Sequence, residues 1–338
     1  MSSIKTLIGH HEHYPIVRLL SSSLIPTMTY VSNDPSWWQY IYWCYIFNYF
    51  IVASSTAVVY DWALTFAQEF DLVWQGRSFV NILYLCVRYI GILYSTTYIL
   101  ANLPVSMTDK VSNILYFITV WTPVVVNAML GVIMMIRIYA MYQGSKKILV
   151  FLIVVLLLCT TAIAVVAAMG NINASGLDIV LSGNNMCFNK NDAAGLRLID
   201  EMYIPTLVWE VLALGLSVWI VIKHIRELRQ SPTTWIIEDC FTVLLRSHVL
   251  YFVGFAAVSF FYIGLLSPRF KGSTSVGSGI YYGVYQMTQF TQMFVLGPRL
   301  VLSIRNYNAK LVANSGEGTH MDKIVFQECR HATTSVGV

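Results

Sequence analysis

Residues Ile148–Thr161 read ILVFLIVVLLLCTT, and the apolar run continues to Gly170. No charged residue interrupts Ile148–Thr161. A helix needs about 20 such residues to cross roughly 30 Å of hydrocarbon. This stretch therefore reads as a transmembrane helix. Outer-membrane strands would instead alternate apolar and polar residues over about ten positions, and the run is too long and too continuous for that.

Six further runs flank it. They are Trp37–Tyr60, Ser78–Leu103, Asn113–Tyr142, Met202–Ile222, Cys240–Leu266 and Ile280–Ile304. The first opens with Trp37, Trp38, Tyr40, Tyr42 and Trp43, aromatic residues that favour the headgroup level. The second ends before Pro104 and the sixth stops at Pro268. The expected fold class is all-α: a polytopic membrane bundle of seven helices over residues 37–305. Residues 1–36 are expected to form an outer N-terminal tail, with no signal peptide. Residues 306–338, with Ser315-Gly316-Glu317-Gly318, are expected to form a mobile cytoplasmic tail.

Composition supports the same reading. Of 338 residues, 57% are hydrophobic and 11% are charged. A soluble domain carries about 45–50% and 25%, and so few charges could not cover a soluble surface. A soluble globular protein, a disordered chain and a nucleic-acid-binding module are thereby excluded. The net charge of +4 bears on topology rather than on an acidic partner.

Lys and Arg prefer the cytoplasmic side. One set of loops holds Arg77, Lys146, Lys147, Lys223, Arg226, Arg229 and Arg246, joined by Arg299, Arg305 and Lys310. The opposite set holds Lys110, Lys190, Arg197, Arg269 and Lys271. The richer set is assigned to the cytoplasm, which puts the N-terminus outside and the C-terminus inside. The sequon Asn173-Ala174-Ser175 then lies outside, where glycosylation of Asn173 is expected. The six cysteines form no framework. Cys44 and Cys187 fall near the outer face and could meet, but spacing does not fix connectivity, and free thiols are the favoured reading.

Polar residues recur at helical spacing inside the spans, and such positions mark a bundle interior. The second span carries Tyr84, Arg88, Gly91, Ser95 and Tyr98 on one face. The fifth carries Thr206, Glu210, Ala213 and Ser217. The seventh carries Tyr282, Gln286 and Gln289, and the third carries Asn127 one turn after Pro123. Together they predict a polar cavity, with Arg88, Asn127, Glu210, Tyr282, Gln286 and Gln289 as candidate ligand-binding residues. The bland alternative is that these side chains only hold helices together. Arg88 lies roughly 15 Å into its span and Glu210 roughly 12 Å into its own, at 1.5 Å per residue. Unpaired charges at such depth cost about 2.5–3.5 kcal/mol. An Arg88–Glu210 pair and an Arg88–Asn127 hydrogen bond are both compatible with these depths.

On the inner side, Arg137, Lys146, Lys147 and Arg226 are candidates for a face that meets a cytoplasmic partner. Asp61 and Glu69, assigned to the first inner loop, are candidate partners for Arg137. No metal-binding His-Glu-x-x-His, nucleophile elbow or phosphate loop occurs. No cofactor and no enzymatic activity are expected.

Several phrases carry a resemblance. They are Tyr60-Asp61-Trp62-Ala63-Leu64-Thr65 with Glu69; Arg88-Tyr89; Arg137-Ile138-Tyr139-Ala140-Met141-Tyr142; Pro205 with Trp209-Glu210; Leu244-Leu245-Arg246 with Tyr251-Phe252; and Leu296 to Arg305. Their order resembles a family of seven-span membrane proteins, chiefly from mushroom-forming fungi, catalogued as domain of unknown function 6533. This chain has Gly297-Pro298 where that pattern has a Gly-Ser pair, and Val87 where Asn is frequent. The resemblance implies a seven-span integral membrane protein and implies no reaction.

The leading expectation is a receptor-like protein of the plasma membrane. It would bind a small ligand in the polar cavity and a signalling partner on the cytoplasmic side, with lipid around it and no nucleic acid. The alternatives are a transporter or channel using Arg88 and Glu210, and a structural or scaffolding membrane protein.

Overall fold

The computed structural model describes residues 30–74, 78–103, 108–142, 144–171, 175–190, 202–228, 253–267, 270, 273 and 275–314. The chain enters through a short strand, β1 (Tyr30–Ser32), and a 3-10 turn at Pro35–Trp37. Then follow α1 (Trp38–Glu69), α2 (Phe79–Ala101), α3 (Asp109–Met141) and α4 (Lys146–Asn171). Strands β2 (Ser175–Leu181) and β3 (Asn184–Lys190) precede α5 (Tyr203–Leu228). The described part of α6 is Val253–Leu265. The last helical stretch is α7 (Val276–Phe290), a π segment (Thr291–Leu296) and α8 (Gly297–Asn314).

Five helices among the described residues are long and apolar enough to cross a membrane: α1 with its π turn, α2, α3, α4 and α5. The most apolar window, of mean hydropathy 3.2, lies in α4. Its outward residues Val150, Leu157, Leu158 and Val165 are all more than half exposed. A surface of that kind is stable against hydrocarbon and not against water. Residues 240–252 of the sixth predicted run lie outside the described residues. α7 and the π segment after it are less apolar because Gln286, Gln289 and Gln292 interrupt them.

Between α4 and α5 the chain forms a hairpin that the hydropathy pattern does not predict. β2 and β3 pair antiparallel from Ser175↔Lys190 to Leu181↔Asn184. Ser182 and Gly183 remain as a two-residue turn, with φ of 49° and 82°. Positive φ at both centres defines the turn type that matches strand twist, and glycine adopts it without steric cost. β1 joins in parallel through Tyr30↔Ile179, so residues assigned to the N-terminal tail become an edge of this small sheet.

Two prolines shape the helices. Pro123 lies inside α3 and has no N–H to offer the carbonyl one turn back, at Thr119. Tyr94 of α2 donates its hydroxyl to that carbonyl instead, at 3.3 Å. Pro298 likewise cannot bond to the Phe294 carbonyl. The preceding turn widens into the π segment, where the Gly297 N–H bonds to the Gln292 carbonyl. α3 ends where Gly144, with φ of 75°, donates its N–H to the Tyr139 carbonyl at 3.1 Å.

Packing divides into two apolar clusters. One joins α1, α2, α3 and the π segment through Val58, Val87, Val126, Phe290 and Phe294. The other joins α3, α4, α5 and α8 through Met134, Leu152, Leu156, Trp209 and Leu300. α2 approaches the π segment closely because Gly91 has no side chain: a Cβ there would sit 2.6 Å from Phe294 Cδ1. Cys44, Cys86 and Cys159 are free thiols, so Cys44 does not bridge to Cys187.

Candidate functional site

Helix α1 does not stop where its apolar run ends. It continues past Tyr60 to Glu69 and turns through a π segment, Phe70–Trp74. Asp61, Thr65 and Glu69, spaced four apart, fall on one face, and all three are buried. Opposite them, α2 presents Tyr84 and Arg88, also buried.

Arg88 is the centre of the cluster. Its Nη1 forms an ion pair and hydrogen bond with Asp61 Oδ2. Its Nη2 donates to the Thr65 hydroxyl and, at 3.0 Å, to the Asp61 carbonyl. Its Nε lies 3.7 Å from Glu69 Oε2. Glu69 is fully buried and accepts further bonds from Tyr84, Tyr89 and Trp74, at 3.3, 3.2 and 3.3 Å. Arg299 of α8 closes the set, with Nε 2.5 Å from Asp61 Oδ1. Two guanidinium groups thus face two carboxylates, Arg88 from within and Arg299 from the exposed edge, so the charges of the cluster balance. Buried charges persist when paired and hydrogen-bonded in this way.

This arrangement corrects the assignment of Asp61 and Glu69 to an inner loop as partners for Arg137. Both lie on α1 and hold Arg88. The pairing of Arg88 with Glu210 or Asn127 gives way to pairing with α1. The signal was present in the sequence as the four-residue spacing of Asp61, Thr65 and Glu69. It was masked because the apolar run ends one residue earlier.

The remaining predicted residues lie elsewhere. Glu210 is buried on α5 beside Trp209. Gln286 on α7 is nearly buried, while Asn127, Tyr282 and Gln289 are half-buried. Tyr203 and Tyr262, which no polar spacing pointed to, come together near them. Tyr203 of α5 stacks on Tyr262 of α6 with ring centroids 3.9 Å apart. Its hydroxyl is 3.0 Å from the Ser259 hydroxyl. Tyr262 lies 6.0 Å from Tyr285 of α7. Tyr285 is within electrostatic reach of Tyr98, Tyr203, Tyr262 and Tyr282. Tyr98 of α2 meets Phe290 at 5.5 Å. Three helices, α5, α6 and α7, therefore join through a chain of phenol rings, Tyr203, Tyr262 and Tyr285.

At the other end, Lys146, Lys147 and Arg226 are exposed, while Arg137 is buried. Tyr142, at the end of α3, donates to the Leu216 carbonyl of α5 at 3.1 Å. Asn173 lies outside the described residues.

The apolar helices and their buried ion cluster define a helical integral membrane protein. Within it, residues 49–93 match a family of unknown function (DUF6533). The matched segment runs from mid-α1 to mid-α2 and contains Asp61, Thr65, Glu69, Trp74, Tyr84, Arg88 and Tyr89, that is, the whole cluster except Arg299. No curated protein and no solved structure matches the chain.

Proposed function

We propose that the protein is a receptor-like seven-helix membrane protein that takes a small ligand among the tyrosines of α5, α6 and α7. The observation that carries this reading is the meeting of Tyr203, Tyr262 and Tyr285 across α5, α6 and α7, each half-buried. Ligand sites between helices of bundles have this mixed aromatic and polar lining. The N-terminus and the β2–β3 hairpin are placed outside, the C-terminus inside, and the protein in the plasma membrane. The exposed Lys146, Lys147 and Arg226 then face the cytoplasm, where a signalling partner would dock. α6 and the continuous stretch of α7, π segment and α8 complete the seven spans. The polar face of α7 is turned to the interior, which is why its apolarity is low.

The arrangement of Arg88 favours this reading over transport. Its partners on α1 occupy it, so Arg88 is held by Asp61 and Glu69 rather than by Glu210. A ligand that binds only the folded protein raises apparent stability, by about 2.7 kcal/mol at a hundred times its dissociation constant. The test is a thermal-shift screen of the protein in nanodiscs against a metabolite and small-peptide library. Hits that disappear in Tyr285→Leu support the site. Flux of a hit compound into proteoliposomes, abolished by Glu210→Gln, would assign a transporter instead. A screen without hits would leave the polar faces as helix-joining contacts and favour the structural reading.

A further inference from the structure

α8 begins at a break in the helical ladder and is tied to α1 within its first turn. Pro298 offers no N–H, and the π segment before it, Thr291–Leu296, widens the turn. Prolines and π turns are where helices bend. Gly297, at the junction, lies against α3: a Cβ there would sit 2.5 Å from Leu130 Cδ2. One residue past the proline, Arg299 reaches α1, with its Nε 2.5 Å from Asp61 Oδ1.

Both sides of this contact tolerate its loss. The Asp61 side chain is 4% exposed, but its Oδ2 keeps Arg88 when Oδ1 is vacated. The Arg299 side chain is 51% exposed, so its guanidinium does not become a buried orphan. The residues that follow Arg299 hold α8 by apolar contacts. Leu300 belongs to the cluster of α3, α4 and α5. Val301 and Leu302 belong to the cluster that contains Val73 of the π turn and Tyr84 of α2. In hydrocarbon such contacts carry no hydrophobic driving force, because lipid tails are as apolar as Leu, and polar contacts between helices gain weight. The Arg299–Asp61 contact is therefore placed to set where α8 lies. A pair with one exposed partner also contributes little enough to open and close.

We propose that the Arg299–Asp61 contact is a releasable clasp. Closed, it holds α8 against α1 and α2. Open, it lets α8 pivot about the π segment and Pro298, while Arg88 keeps Asp61, Thr65 and Glu69 in place. The α1–α2 pair is the fixed part of this device and α8 the moving part. The clasp makes no use of Tyr203, Tyr262 or Tyr285 and does not depend on the ligand reading above.

The experiment uses the full chain in nanodiscs and electron paramagnetic resonance distances. The spin labels are carried by unnatural amino acids, so that the native cysteines stay untouched. One pair of labels, at the exposed Gln68 of α1 and the half-buried Asn306 of α8, reads the clasp. A second pair, at Gln68 and the exposed Ile82 of α2, reads the fixed part. Arg299→Gln should raise the population with longer Gln68–Asn306 separations about two- to fivefold, in keeping with a pair that has one exposed partner. The Gln68–Ile82 separation should not change. Arg299→Lys, which keeps the charge, should stay closer to the wild type than Arg299→Gln. Pro298→Ala restores an N–H for the Phe294 carbonyl and, combined with Arg299→Gln, should cut the gain. Identical Gln68–Asn306 distributions in the wild type and Arg299→Gln would overturn the clasp. So would a Gln68–Ile82 separation that changes as much, because the whole bundle would then have loosened. A gain that Pro298→Ala leaves intact would put the pivot elsewhere and overturn the hinge. Failure of Arg299→Gln to fold would also sink the proposal, since a clasp has to be dispensable for folding.

Discussion

Arg88 illustrates why a buried charge is expensive to leave alone and tolerable when surrounded. Its side chain is 2% exposed, as against 51% for Arg299. The two arginines share Asp61 but should differ greatly in energetic weight. Asp61→Asn leaves Arg88 buried with its closest countercharge gone, and breaking a buried pair from one side costs about 3–5 kcal/mol. The melting temperature in detergent should fall accordingly. Adding Arg88→Met should recover part of the loss, with a coupling of about 0.5–3 kcal/mol in the double-mutant cycle. Strict additivity would show that the two residues do not act as a pair. Arg299→Gln, by contrast, should cost less than about 1 kcal/mol, because solvent screens the exposed partner. A loss as large as that of Asp61→Asn would mean that Arg299 is buried in the membrane-bound protein.

At the scale of the elements, helix contacts are set by the absence of atoms as much as by their presence. Gly283 of α7 lies directly against the Phe50 ring of α1, and a Cβ added there would overlap it. Gly283→Ala should therefore destabilise by about 1–3 kcal/mol, the range for overpacking. Phe50→Leu in the same chain should relieve part of that loss, and an unchanged melting temperature in Gly283→Ala would show that α7 can move away from α1. A second test concerns α3. Tyr94→Phe removes the donor to the Thr119 carbonyl and should cost about 1 kcal/mol, the usual net worth of one such bond. In a Pro123→Ala background the restored backbone N–H supplies that carbonyl, so Tyr94→Phe should then cost almost nothing. Equal costs in both backgrounds would dissociate Tyr94 from the proline.

At the scale of the molecule, the apolar outer face of α4 and the arrangement of basic residues specify how the chain should sit in a bilayer. Expressed in a eukaryotic secretory membrane, the protein should carry a glycan at Asn173, seen as a mobility shift that glycosidase and Asn173→Gln both remove. A tag at the C-terminus should be reached by antibody only after permeabilisation. A tag reached in intact cells would reverse the proposed orientation or change the number of spans.

The sequence by itself determined where the long apolar helices run, because crossing hydrocarbon is a local requirement met within one stretch of chain. Ile148–Thr161 needs no partner to be read as α4. Polar positions at helical spacing could also be sorted onto faces, since the period of a helix is fixed. Which faces meet was decided by the tertiary structure alone. Arg299 and Asp61 are 238 positions apart, and no local pattern links them. Arg88 was legible as a residue that must be paired, but not its choice of Asp61 and Glu69. That choice depends on α1 continuing as a helix beyond its apolar run, which its polar face allows only because α2 places a guanidinium against it. The β2–β3 hairpin, short and without a membrane's demand for apolarity, was hidden for a related reason: its signal is a two-residue turn between strands too brief to stand out among the long apolar helices. The contacts among Tyr203, Tyr262 and Tyr285 followed the same rule, as each ring comes from a different helix and they meet only when the helices are assembled.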